Sequence, residues 1–228
     1  MHRLKEDIGK YNRRSLFLLV YLVATAVVLL ANAMSDAVTG SDRPIVILAL
    51  LAVTIAITSA RHPLQFQGTV TAMLVSDALT FLAIVLFGPS QGALLAAVEP
   101  LLASRRMKLR PSLYLFNISE VVISAYAAGR VYEITGRLVG AHPIEHGIGQ
   151  TMLAFSLPLA TMALAFYLIN AGLIALMSWL TYGTSLAESL LPTLPWDPLT
   201  YLADALAAGI VAYGAAHYGP VAMLVTLT

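Results

Sequence analysis

Four carboxylates fall inside long apolar runs of this sequence: Asp77, Glu99, Glu120 and Asp204, with the amides of Asn117 and Asn170 at similar depth. A charged side chain at the centre of a bilayer costs about 2.5–3.5 kcal/mol on insertion scales, so acids placed there are candidates for binding a ligand or moving charge. Asn117 and Glu120 are three residues apart, which on a helix sets both on one face, where they can address one ligand or one neighbouring helix. The spacing leads us to expect an internal polar pocket for a small molecule, formed by Asp77, Asn117, Glu120 and Asn170, with Glu99 and Asp204 as further members. A competing reading makes the same groups hydrogen-bond glue between helices, worth about 0.6 kcal/mol per contact. A proton relay is a third.

Other chemistry is thinly represented. His142 and His146 flank Glu145 in Ala141-His142-Pro143-Ile144-Glu145-His146, a donor set that can hold a divalent metal if a helix aligns both imidazoles. Pro143 interrupts such a helix, and an exposed polar loop is the simpler reading, so no metal or other cofactor is expected. The sequence holds no cysteine, which removes thiol nucleophiles, disulfides and thiolate metal ligands. No phosphate-binding glycine loop, serine-nucleophile elbow or zinc-protease motif occurs. The expectation is a non-catalytic chain. A net charge of +1, without basic residues interleaved with aromatics, excludes a nucleic-acid partner.

The elements that carry these residues follow from composition. Of 228 residues, 59% are hydrophobic and 11% charged, and mean hydropathy is +0.81; an ordinary soluble domain carries about 25% charged residues. In lipid every backbone N–H and C=O must be paired within the segment, and runs this long and evenly apolar do so as helices. The runs are 15–34, 44–60, 70–88, 90–103, 113–132, 151–182 and 198–228. They imply an all-α, polytopic transmembrane bundle of about seven helices, each needing roughly 20 residues to cross. Residues 1–14 form a basic N-terminal segment and 15–228 the membrane domain. The first run is long enough to span, so it reads as a retained helix and not a cleaved signal peptide. Gly88-Pro89 breaks the chain before 90–103, a short run taken as a full return across the membrane. Gly214, His217 and Gly219-Pro220 place a turn near the end, leaving an apolar stub at 221–228. That stub suggests the membrane part of a longer polypeptide.

Orientation is set by Lys and Arg near helix ends. Arg3, Lys5, Lys10, Arg13 and Arg14 mark one cytoplasmic segment, and Arg105, Arg106, Lys108 and Arg110 a second. Four crossings between the two clusters satisfy both. The N-terminus is then cytoplasmic, 35–43 and 136–150 lie outside, and 182–197 lies inside with Trp196 at the interface. The expected location is the inner membrane. Ala52, Ala56 and Ala60 recur at helical spacing and allow close helix approach, more simply for internal packing than for docking a partner.

Three stretches carry a resemblance. The run from Ser76-Asp77 through Leu86-Phe87-Gly88-Pro89 to Gly92 and Glu99 resembles the layout of early helices in the substrate-capture S components of energy-coupling-factor vitamin transporters. It is also similar to the integral membrane input regions that precede HD-GYP or GGDEF domains in bacterial signalling proteins. Leu115-Phe116-Asn117-Ile118-Ser119-Glu120 with Ala127-Ala128-Gly129-Arg130-Val131-Tyr132, and Phe166-Tyr167-Leu168-Ile169-Asn170-Ala171-Gly172, resemble the input regions. That resemblance implies a helical bundle with a ligand cavity open to one side and a cytoplasmic output domain or partner protein beyond it. The alternative it leaves is an S-component-like subunit for uptake of a small vitamin-like solute. The helix preceding the Ala52/Ala56/Ala60 face, and the outward placement of Gly88-Pro89, fit the sensory region better.

Overall fold

Helices in this protein begin and end where the sequence supplies the residues for it. The computed structural model describes residues 11–39, 49–54, 68–106, 110–140, 152–191, 194 and 196–218. Its elements are α1 (Arg13–Thr39), α2 (Gly68–Phe87), α3 (Pro89–Ala96), α4 (Val98–Arg106), α5 (Pro111–Leu138), α6 (Met152–Tyr182), α7 (Leu186–Leu190) and α8 (Asp197–Tyr218). Residues 49–54 are also helical, and no strand occurs among the described residues. Pro89 and Pro111 open α3 and α5, where a missing N–H costs nothing because no intrahelical acceptor awaits it. Gly88 adopts φ +94, a conformation that costs glycine little, and this turns the chain sharply between α2 and α3. Asn12 caps α1 by accepting a hydrogen bond from the Ser15 amide at 2.8 Å. A capping box between Ser185 and Glu188 starts α7.

Contacts between helix ends give an up-and-down arrangement. At one end Ser112 Oγ donates to Tyr11 Oη at 3.0 Å and Asn12 Nδ2 donates to the Leu180 carbonyl, joining the starts of α1 and α5 to the end of α6. At the other, Ser90 Oγ donates to Asp36 Oδ2 at 2.8 Å and Thr161 Oγ1 to Thr135 Oγ1 at 3.1 Å. Gly129 sits against Pro89, and further along the same two helices Ala93 packs with Val122, so α3 runs back antiparallel to α5. Helix α8 packs on α2 and α6. The main core contains Phe81, Ile84, Leu159, Met162 and Phe166, all fully buried.

The outside is unlike that of a soluble domain. Phe17, Val20, Tyr21, Val27 and Val28 of α1, Leu164 and Leu168 of α6, and Leu199 and Ile210 of α8 are large, apolar and exposed; contiguous apolar surface of this kind marks contact with lipid or protein. Among the described residues, three helices are long and apolar enough to cross a membrane: Arg13–Val38, Ala154–Tyr182 and Asp197–His217. The all-helical class therefore holds, while fewer helices meet the criterion than the seven apolar runs in the sequence. The run at 90–103 is two helices with a turn at Ala97. Pro100 supplies the reason, since it has no N–H to return to Ala96 and restricts the residue before it. Helix α1 continues to Thr39, into the segment expected as an outer loop, and α7 occupies part of the expected inner loop. Residues 141–150, with the two histidines and Glu145, lie outside the described residues, as do Ala56, Ala60 and 221–228.

Candidate functional site

Acids from three helices approach Tyr201 of α8. Asp77 of α2 is half-buried, whereas Glu120 of α5 and Asp204 of α8 are 5% and 7% exposed. Tyr201 lies within Coulombic reach of Asp77, Glu120 and Asp204, and of Asp197 at the start of α8, and Asp77 within reach of Glu120. The Tyr201 ring belongs to an aromatic group: its centroid is 5.1 Å from that of Phe166, 6.3 Å from Tyr167 and 6.4 Å from Phe81. Phe81 and Phe166 meet edge to face at 5.3 Å. These separations are in the range of favourable aromatic pairs, so the rings form a rigid wall beside the carboxylates.

The polar atoms at this centre are under-used. Glu120 Oε2, Asp204 Oδ2 and Tyr167 Oη are buried and have no hydrogen-bond partner among the described residues. A buried acceptor without a donor costs about 1–3 kcal/mol, and such groups are uncommon in folded proteins. Chemically, the centre can accept hydrogen bonds from a molecule that carries donors, and rings beside carboxylates also favour a cationic group. Among the described residues the acids do not close up into a set that could hold a metal ion.

The other expected residues fall variously. Asn117 is half-buried on α5, one turn before Glu120. Asn170 is half-buried on α6, one turn beyond Phe166 and Tyr167. Glu99 stands in the first turn of α4, outside the acids within reach of Tyr201. Tyr201 and the three aromatic neighbours were not singled out by sequence reasoning. A signal was present: Tyr201 precedes Asp204 by three residues and Phe166 precedes Asn170 by four, the spacings of one helix face.

A second polar feature lies at the Gly88–Pro89 end. A cavity of about 340 Å³ opens between the end of α1, the α2–α3 turn and α5, with Asp36, Gln91, Tyr126, Arg130 and Glu133 in its walls. Arg130 Nη1 donates to Glu133 Oε2 at 2.6 Å, and Arg137 approaches the same oxygen at 3.6 Å. No protein-family profile, curated protein or solved structure matches this chain. Its function is therefore argued from its own geometry.

Proposed function

We propose that this chain is a multi-pass inner-membrane sensory input module, a transmembrane bundle of about seven helices, that binds a small molecule at the acid group around Tyr201 and signals by helix rearrangement. It is non-catalytic in this reading. The observation that carries it is the pair of buried, unpartnered carboxylate oxygens on Glu120 and Asp204 beside an aromatic wall. Glue between helices consumes its donors and acceptors in pairs; orphaned acceptors on two different helices are better accounted for by a ligand that supplies the donors. The ends of the bundle support the topology, since Tyr11 next to Arg13 meets Ser112 next to Arg110, as an even number of crossings between the two basic segments requires.

The arrangement also supplies a route for the signal. Tyr201 and Asp204 both stand on α8, so a ligand held between them and Glu120 of α5 acts directly on the last described helix. A ligand that binds one position of α8 more tightly than another shifts the population by that difference in affinity and no more. An output domain or partner protein coupled to α8 would read the shift.

Thermal unfolding of the purified chain against a library of metabolites and vitamins tests the site. A ligand at 100 times its dissociation constant adds about 2.7 kcal/mol, which raises the midpoint by about 5–10 °C for a chain of this size. Glu120→Gln keeps the side-chain volume and removes the carboxylate, so it should abolish the rise. A stabilising ligand that acts equally on the Glu120→Gln and Asp204→Asn variants would place binding elsewhere and refute the site.

A further inference from the structure

We infer that the cavity at the Gly88–Pro89 end of the bundle is a second binding site, separate from the acid group around Tyr201, for a small zwitterion that carries one ammonium and one carboxylate, of the size of an α-amino acid. The floor of the cavity is backbone. Gly88 is held at φ +94, and the position a Cβ would take lies 3.9 Å from both Gln91 Oε1 and Glu133 Oε1. Two acceptor oxygens therefore converge over a residue whose missing side chain leaves the space between them open. Asp36 adds a third acceptor group, fixed in place by the hydroxyl of Ser90 at 2.8 Å. Oxygens gathered in this way match the three donors of an ammonium.

The opposite requirement comes from Arg130. Its guanidinium spends Nη1 on Glu133 at 2.6 Å, and a guanidinium offers five N–H donors in a planar fork that suits a carboxylate. With its side chain 50% exposed, Arg130 stands where a water-borne anion can reach it. The charged side chains of the lining are Asp36, Glu133 and Arg130, and Arg137 stands 3.6 Å from the same Glu133 oxygen, so the two signs balance. Neither a free anion nor a free cation meets a field of one sign here. A zwitterion satisfies both signs at once, its ammonium on the oxygens of Asp36, Gln91 and Glu133 and its carboxylate on Arg130.

Size and access agree with that class. A water molecule occupies about 30 Å³ of liquid, so 340 Å³ holds roughly ten waters or a molecule of about ten non-hydrogen atoms. Phe87 and Tyr126 supply aromatic wall for a short side chain. The cavity lies at the ends of α1, α2 and α5, with Asp36 and Arg130 exposed, so a ligand enters from water without crossing hydrocarbon.

The test uses the full chain in lipid nanodiscs and isothermal titration with the common α-amino acids, one at a time. For any that binds, two analogues follow: the matching amine without its carboxylate and the matching acid without its amine. At least one amino acid should bind, each analogue at least tenfold more weakly. Arg130→Gln should erase the preference over the amine while keeping the preference over the acid, and Asp36→Asn should do the reverse. A merely structural role for either residue would weaken all three ligands together. Absence of binding by every amino acid to the folded wild-type chain overturns the proposal, as does an amine or acid analogue that binds as tightly as its parent; both outcomes are read on the wild type and do not depend on how the variants fold.

Discussion

Replacing Gly129 by alanine should destabilise the bundle, although alanine is the better helix former. A Cβ at this position would stand 2.8 Å from Pro89 Cα and 2.9 Å from Pro89 Cβ. The obstacle is backbone and a closed ring, neither of which can rotate away, so α3 has to retreat from α5 by about 0.6 Å before the contact becomes ordinary. Overpacking of this kind costs about 1–3 kcal/mol, offset by about 0.5–1 kcal/mol from alanine's better helix propensity. The expected net loss is about 1–2 kcal/mol, a fall of about 2–8 °C in the unfolding midpoint for a chain of this length. Gly172 and Gly214 are the internal controls, because a Cβ at either meets nothing within 4 Å; alanine there should raise the midpoint by about 1–4 °C. Circular dichroism at 222 nm during a temperature ramp in detergent reads all three variants. If Gly129→Ala melts at or above the wild type, or if Gly172→Ala falls as far, close approach of α3 to α5 is not what the glycine provides.

Phe166→Ala removes a fully buried ring that touches both Phe81 and Tyr201 and should cost about 3–5 kcal/mol in thermal unfolding; a loss under 1 kcal/mol would mean the aromatic wall is not packed. Asn12→Ala removes the cap on Ser15 and the bond to the Leu180 carbonyl, so α1 should lose about 1 kcal/mol and its first turn should exchange amide hydrogens faster. The absence of cysteine makes single-cysteine labelling clean. On intact cells a membrane-impermeant maleimide should reach Asp36→Cys but reach Ser185→Cys only after permeabilisation; labelling of both from one side would rule out the arrangement of crossings.

The parts of this structure that were legible in the sequence are those set by local chemistry. Gly88-Pro89 announced a break and the long apolar runs an all-helical chain, because each depends on backbone geometry or hydrophobicity that a few neighbouring residues decide. The turn at Ala97 was harder to see: Pro100 lies three residues later, within a run that remains apolar on both sides. The acids were legible as a set of depths but not as a constellation. Nothing local distinguishes Glu99 from Asp204, and only the pairing of α8 with α2 brings Asp77 within reach of Tyr201, one turn from Asp204, while leaving Glu99 elsewhere. The cavity at the bundle end was invisible for the same reason. It joins Asp36 of α1, Gly88 of the α2–α3 turn and Glu133 of α5, and its glycine was read as a helix breaker and not as part of a site.

Helix α6 sets a dimension for the whole assembly. Its 31 residues measure about 46 Å at 1.5 Å per residue, against a hydrocarbon layer of about 30 Å. The helix is tied near its C-terminal end by Asn12 at Leu180 and again at Thr161, nine residues in from Met152, by Thr135, so it cannot take up the surplus by sliding alone. Any tilt it adopts is shared with α1 and α5, and any overhang carries their ends with it. Hydrophobic mismatch of this kind costs fractions of a kcal/mol per Å and sorts proteins between membranes of different thickness. Through α6, the thickness of the surrounding lipid becomes a mechanical load on the same helices that frame the two polar sites.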